Sequence, residues 1–508
     1  MRIAIFPLIL LVYWTGCDRS ENGQLLSADG VNQENGVPTD SVIHNASKTP
    51  KSFSNQSNHD DNTAAHKRSS KQPLPQKVTG HDWPTFLGAN GDSRSVEHGI
   101  RTDWDNDPPP IVWQRPLGIS YGIGSVQGDR FFQFDRFANE AQLVCLNAKT
   151  GEEFWSFSYP TKYVDAYGYN GGPRASPVID DQHVFLFGAA GMLHCLNVAD
   201  GKVVWKVHTT EKFGVIQNFF GVGCTPVIDG ELLIANVGGS PQADQQTPTG
   251  LLDRVSGNGS GIVAFEKRTG NVHYQITDEL ASYASPKLTT INGRKWCFVF
   301  ARGGLVGFEP QSGKVDFHYP WRAAKLESVN ASTPVVVEDE VLITETYGPG
   351  SSLLRVYPGG YDVVWKDKAD TRDKKMMAHW NTPIHHEGYF YGCSGRHSHN
   401  ADLRCVHWKT GAVMWRQPID GRSSLLWVDD HLISLSETGQ LALIRPNPTK
   451  FDLVAELRLR ENERELLREP AWAAPILAHG LLYVRGKDRL VCLELIPGAV
   501  KSVSSKAQ

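Results

Sequence analysis

Six arginines, Arg136, Arg174, Arg302, Arg396, Arg422 and Arg485, recur through the chain among Tyr121, Tyr283, Asn330, Tyr347, His379, Trp380, Asn381, His397 and Trp472. A guanidinium presents a fixed fork of N–H donors that matches a carboxylate or phosphate, and aromatic faces accept sugar rings or planar groups. Gathered on one surface, this set would bind a protein partner or an anionic or glycan ligand. Three neutral imidazoles, His379, His397 and His399, have the chemistry of a zinc site. Their neighbours His385 and His386 approach a different turn and His407 falls on a strand, so no metal centre is expected. Asp165, Glu345 and Asp402 are the carboxylates available as a catalytic base, and none sits in a recognisable catalytic string. Walker loops, Gly-x-Ser-x-Gly elbows and His-Glu-x-x-His helices are absent from the sequence.

The elements that must position these residues are read from internal repeats. A small residue followed by Pro opens an apolar run at Ser176-Pro177, Thr225-Pro226, Ser285-Pro286, Thr333-Pro334, Thr382-Pro383 and Ala474-Pro475. The intervals are 49, 60, 48, 49 and 92 residues, the last spanning two periods with Ser424-Leu425 where a marker would fall. One period before Pro177 lies Ser125-Val126, which makes eight units. A second beat runs Thr150-Gly151 to Trp155, Asp200-Gly201 to Trp205, Thr269-Gly270 to Tyr274, Ser312-Gly313 to Phe317 and Thr410-Gly411 to Trp415. Glycine supplies the left-handed residue of a hairpin turn, and the aromatic four positions on packs against the next unit. Each unit therefore reads as four short antiparallel strands, and the fold as an all-β, eight-bladed propeller.

The last unit ends at Leu490–Glu494 one strand short, while Ile111–Arg115 precedes the first unit without partners of its own. The N-terminal strand is expected to complete the C-terminal blade and seal the ring. In this register the loops entering the first strand and joining strands two and three share one side, which collects the Arg and aromatic set. The opposite side carries acidic turns at Asp129, Asp180-Asp181, Asp229 to Glu231, Glu338 to Glu340 and Asp429-Asp430. The long Gly- and Pro-rich loop from about 238 to 261 explains the 60-residue interval; it either covers the channel or is an idle insertion. The charged stretch 453–469 is expected to be an edge strand leading into a short helix.

The Gly-then-Trp beat resembles the tryptophan-docking repeat of the pyrroloquinoline quinone (PQQ)-like propellers, a family that includes BamB-type envelope lipoproteins. The resemblance covers roughly residues 81–497. Strings such as Ser282-Tyr283-Ala284-Ser285-Pro286, Val329-Asn330-Ala331-Ser332-Thr333-Pro334 and Trp472-Ala473-Ala474-Pro475 resemble a planctomycete-type branch. It implies a non-catalytic envelope scaffold that engages a protein partner or an anionic or glycan ligand and needs no cofactor. The alternative it implies is a PQQ-dependent alcohol or sugar dehydrogenase, with PQQ on a Trp floor beside Ca²⁺ and an Asp base. Members of that enzyme class often carry a vicinal Cys pair or a Cys-x-x-Cys-His haem site, and the sequence has neither.

Length, composition and termini fit this reading. The 508 residues carry 51 Lys+Arg against 55 Asp+Glu, a net charge of −4, which disfavours a nucleic-acid binder driven by bulk charge. Hydrophobic residues make up 40%, enough for a buried core, and the single long apolar run, Ile3 to Trp14, is too short to span a bilayer. Residues 1–16 read as a signal peptide ending in Thr15-Gly16-Cys17, which resembles a lipobox with Cys17 as the lipidated residue. Residues 17–80 read as a disordered tether, 81–497 as the propeller and 498–508 as a tail. An exported monomer, lipid-anchored in the cell envelope, is the expectation. Cys145, Cys195, Cys405 and Cys492 occupy one repeated strand position, too far apart for disulfides, and are expected to be buried thiols.

Overall fold

The computed structural model describes residues 80–216, 219–326 and 328–500. The signal peptide, Cys17, nearly all of the tether and residues 501–508 lie outside the described residues. Among those described, no helix is long and apolar enough to cross a membrane.

Eight four-stranded antiparallel sheets form the propeller. Their first strands start where the small-residue-Pro markers lie: Ser125–Gln127, Val178–Ile179, Val227–Asp229, Lys287–Ile291, Val335–Val337, Ile384–His386, Ser423–Val428 and Ile476–Ala478. The second and third strands of each blade are almost wholly buried, as in Val341–Glu345 and Leu305–Phe308, so the core is a set of apolar layers between neighbouring blades. The fourth strands are in most blades the more exposed ones, as in Val413–Pro418, where exposed residues alternate with half-buried ones because one face meets solvent.

Adjacent blades are joined by the aromatic that follows each Gly turn. The indoles of Trp155, Trp205, Trp365 and Trp415 donate to the carbonyls of Val198, Lys267, Trp408 and Asn447 in the following blade, at 2.7 to 3.1 Å. Tyr274 makes the same bond through its hydroxyl to Pro310. The ring stands over the next blade's glycine: a Cβ on Gly201 would fall 2.5 Å from Trp155, and Gly201 sits at φ +71°. Glycine is thus required twice, for the turn and for the ring above it.

Ile111–Pro116 pairs antiparallel with Arg489–Glu494 as the fourth strand of the last blade. Trp113 on this strand docks over Gly151 of the first blade and donates to Ala148. Ring closure therefore uses the same joint as every other Trp-bearing blade boundary.

One segment differs from expectation. Residues 453–469 form the outer strand Leu453–Arg458 and a small hairpin of Arg460–Glu461 with Arg464–Glu465, with no helix. Both signs of charge at this spacing suit cross-strand pairs as well as helical ones, and Arg458 and Arg460 both reach Glu465. The 238–261 loop folds into two short 3-10 turns pinned by Gln245 and Asn258 to the carbonyls of Gly214 and Phe213.

Between Asp82 and Ser95 the chain enters the axial channel. Trp83 pairs with Val126, Ile179 N–H donates to Pro84, and Trp427 N–H donates to Ser93. Leu87 and Ser93 adopt positive φ, +61° and +58°, and both are buried. The turn is held by buried Lys287, whose ammonium donates to the carbonyls of Asn90 and Gly91.

Candidate functional site

An axial cavity of about 440 Å³ opens on the side of the ring where the blade-entry loops gather. Its wall is aromatic: Tyr121, Tyr169, Phe220, Tyr283, Tyr347, Trp380 and Trp472, with Phe86 and Leu87 of the channel segment at its inner end. Three arginines, Arg174, Arg396 and Arg422, and two histidines, His379 and His397, supply its polar groups together with Asn381.

Arg422 is fixed by a bidentate bond to buried Glu437, at 2.6 Å to Oε2, and lies 4.2 Å over the Trp380 ring. Glu437 also accepts from the Trp472 indole at 2.8 Å, and the Trp380 indole donates to the Trp472 carbonyl at 2.9 Å. These bonds hold the Glu437 carboxyl below its ordinary range against the opposing effect of burial. The two indoles, 4.8 Å apart between centroids, are thus locked in place by one ion pair.

His379 is the next member. An arginine can only donate, so the 3.1 Å contact from Arg422 Nη1 makes His379 Nδ1 an acceptor. The proton then resides on Nε2, which donates to the Tyr347 hydroxyl at 3.1 Å. Burial, reinforced by Arg422 and Arg396, pushes the His379 pKa down to about 3, so the ring is neutral at physiological pH.

The arginines differ in what they have left to offer. Arg174 is paired with buried Asp165 at 2.7 Å and also donates to the Gly172 and Asn170 carbonyls. Arg422 is paired with Glu437. Arg396 lies 4.4 Å over the Tyr347 ring, with no carboxylate within 4.0 Å among the described residues. Its charge acts on Glu345, whose carboxyl accepts from the Tyr347 and Gly348 amides. Burial pushes Glu345 up to about 7, partly offset by those bonds and by Arg396. The uncompensated cation in the cavity is therefore Arg396.

Of the expected ligand-face residues, Arg174, Tyr283, Tyr347, His379, Asn381, Arg396, His397, Arg422 and Trp472 line this cavity. Arg136, Arg302, Asn330 and Arg485 lie away from it and brace loops. Arg136 donates to the Ala138, Tyr163 and Gly171 carbonyls, and Arg302 to Leu326 beside Asp253. Asn330 bonds the Ala301 carbonyl, and Arg485 pairs with buried Asp135 at 3.3 Å while donating to Gly122. The 238–261 loop contributes no lining residue.

Phe86, Leu87, Tyr169 and Phe220 escaped the sequence reading. The first two come from a segment read only as a lead-in to the closing strand, where nothing local signals entry into a channel. Tyr167, Tyr169, Phe219 and Phe220 do carry a signal: two aromatic pairs in consecutive blade-entry loops, which stack on one another at 5.7 to 6.4 Å.

The donor set does not fit PQQ with Ca²⁺. Calcium requires several oxygen ligands, usually carboxylates, and no Asp or Glu lines the cavity. Asn381, the one lining amide, is committed on both atoms, to Cys393 O and His379 N–H. Of the candidate bases, Asp165 is paired with Arg174, Asp402 with Arg404, and Glu345 with two backbone amides. No cluster of three metal-ligating side chains occurs among the described residues. The seven described cysteines are all buried and unpaired.

The family model described as outer membrane protein assembly factor BamB matches residues 104–240 and 168–379. Among solved structures, BamB from Moraxella catarrhalis is similar with a TM-score of 0.52 and 12% identity, over 76% of this chain and 99% of that one. The quinohemoprotein alcohol dehydrogenase from Comamonas testosteroni is similar with a TM-score of 0.54 and 11% identity, over 84% of this chain and 81% of that one. At such identity both likenesses concern the fold alone. No curated protein sequence matches the chain.

Proposed function

Because the chain belongs to the BamB-like family of PQQ-repeat propellers, we propose that it is a non-catalytic binding propeller of the cell envelope whose axial cavity receives an anionic group carried on a flat or ring-shaped body. The observation that carries this reading is Arg396: a guanidinium in an aromatic cavity, without a carboxylate of its own, beside two arginines that have theirs. A half-buried cation of this kind gains from an incoming carboxylate or phosphate a partner of the sort that Arg174 and Arg422 have in Asp165 and Glu437. The adjoining rings of Trp380, Trp472 and Tyr121 offer the flat contact that a sugar ring, a planar group or an exposed side chain of a partner protein would use. The BamB name of the family supports a protein partner in the envelope as the bearer of that group, and the lipobox-like Cys17 supports anchoring there.

The test is a titration followed by tryptophan fluorescence, since Trp380 and Trp472 line the site. Uronic acids, their neutral sugar counterparts and acidic peptides are added in turn. Saturable quenching by the acidic members of the panel, lost in Arg396→Gln, is expected. Saturable binding of PQQ with Ca²⁺, accompanied by dye reduction in the presence of an alcohol, would replace this reading with the dehydrogenase one.

A further inference from the structure

Two of the three cavity arginines are built into its wall, and one is left for a ligand. Arg422 donates through Nε and Nη2 to Glu437 and through Nη1 to His379 Nδ1 and the Arg396 carbonyl, at 2.6 to 3.1 Å, so few of its N–H groups remain to offer. Arg174 donates to Asp165 Oδ2 and to the Gly172 and Asn170 carbonyls, at 2.7 to 2.9 Å. Both guanidinium groups stand over aromatic rings, Arg422 over Trp380 and Trp472, Arg174 over Tyr121 and Phe220. Arg396 is half-buried over Tyr347, and its guanidinium has no hydrogen-bond partner among the described residues.

Neither Asp165 nor Glu437 is needed merely to hold its arginine. Buried Arg136 is held by the Ala138, Tyr163 and Gly171 carbonyls and the Asn139 amide oxygen, with no carboxylate within 4.0 Å among the described residues. Arg174 and Arg422 have carbonyl acceptors too, so what their carboxylates add is cancellation of charge. Both carboxylates are buried outside the lining, and no Asp or Glu lines the cavity itself. Three cations thus meet two anions, and one positive charge faces the ligand.

The other titratable groups do not raise that sum. His379 is neutral, and His397 is held below its ordinary pKa by desolvation and by Arg396. Buried Glu345, pushed up to about 7, subtracts from the positive charge as it ionises. Lys325, whose charge reaches His397, is exposed to solvent and lines no part of the cavity.

A dianion seated here would leave its second charge unpaired among aromatic rings, and a charge held away from water without a partner is costly. A carboxylate or phosphodiester brings one charge and two equivalent oxygens, which match one guanidinium fork. We infer that the cavity selects singly charged oxyanions, a carboxylate or a phosphodiester, over phosphate monoesters, and that Asp165 and Glu437 set this limit through Arg174 and Arg422. The inference rests on the cavity being an anion site and narrows its ligand to one charge class.

The experiment is isothermal titration calorimetry on the full chain at pH 7 and constant ionic strength. Four probes share one sugar body: glucose, glucuronate, glucose 6-phosphate and the methyl ester of glucose 6-phosphate. The last two differ by one methyl group and one ionisation, since a phosphate monoester carries about −1.5 to −2 charge at this pH. Glucuronate, the methyl ester or both should bind about tenfold tighter than glucose 6-phosphate, and the tighter of the two identifies the group as carboxylate or phosphodiester. Glu437→Gln and Asp165→Asn each release one positive charge, and each should cut that ratio about fivefold. The wild-type comparison decides even where a variant fails to fold. Glucose 6-phosphate binding as tightly as both single charges, or an unchanged ratio in a folded variant, would overturn the inference and leave the anion site standing. Binding of none of the acids would remove the anion site itself, and the inference with it.

Discussion

The indole of Trp113 donates to the Ala148 carbonyl at 2.9 Å across the seam between the last blade and the first. The strand that carries it enters the sequence before every blade, yet it finishes the final one. Trp113 also packs on Phe131 and Tyr483, one from each side of the seam. Trp113→Ala should therefore destabilise by about 3–5 kcal/mol, as for other large-to-small aromatic core changes, and lower the Tm as measured by calorimetry. Deleting 81–116 should abolish a single cooperative transition.

Arg396 and Arg174 should respond oppositely to removal. Arg396→Gln leaves no buried carboxylate unpaired, so stability should stay within about 0.5 kcal/mol while affinity for an anionic ligand falls tenfold or more. Arg174→Ala strands buried Asp165 and should cost roughly 3 kcal/mol in denaturant unfolding.

Anion affinity should depend on pH through Glu345. Below pH 7 its carboxyl is largely neutral and the Arg396 charge is unopposed; above pH 7 the carboxylate competes with the ligand. Affinity should fall several-fold between pH 6 and 8. His397, whose pKa is lowered by desolvation and by Arg396, gains charge only on the acid side and acts in the same direction.

The stability profile carries a second signature, from His379. Its folded pKa lies below the unfolded value, so the unfolded state binds more protons between about 3 and 6.5. Stability from this group is complete above pH 6.5 and is lost as pH falls toward 3. His379→Asn should flatten that limb in acid-titrated melts.

The described cysteines should be silent toward thiol reagents in the native protein. All seven are buried, and burial pushes Cys145, Cys195 and Cys224 up to about 12. At pH 8 they should label only on unfolding, all seven with the same denaturant midpoint.

Blade number, strand boundaries and ring closure were legible because each is written as a repeated local signal: a Pro before an apolar run, a Gly four residues before an aromatic. Nine of the expected residues meet at one cavity because blade-entry loops and the loops joining second to third strands share a side by topology. What was not legible depends on contacts between distant segments. Arg485 and Arg302 fall at the same junction of second and third strands as Arg396, but Asp135 and the Leu326 carbonyl claim them, and no local pattern reveals that Asp135, 350 residues before Arg485, is its partner. The channel segment was hidden for the same reason: Leu87 at φ +61° is held by packing inside the hub, not by a turn signal of its own.

Completing the final blade with the earliest strand also fixes when the molecule can become whole. Roughly 380 residues must emerge after Pro116 before Arg489–Glu494 exists to receive it, which at ribosomal speeds of about 5–20 residues per second is on the order of 20–80 s. Until then, no partial product can shut the circle. A chain interrupted anywhere upstream stays an open arc with two raw ends, visible to proteases and chaperones as unfinished.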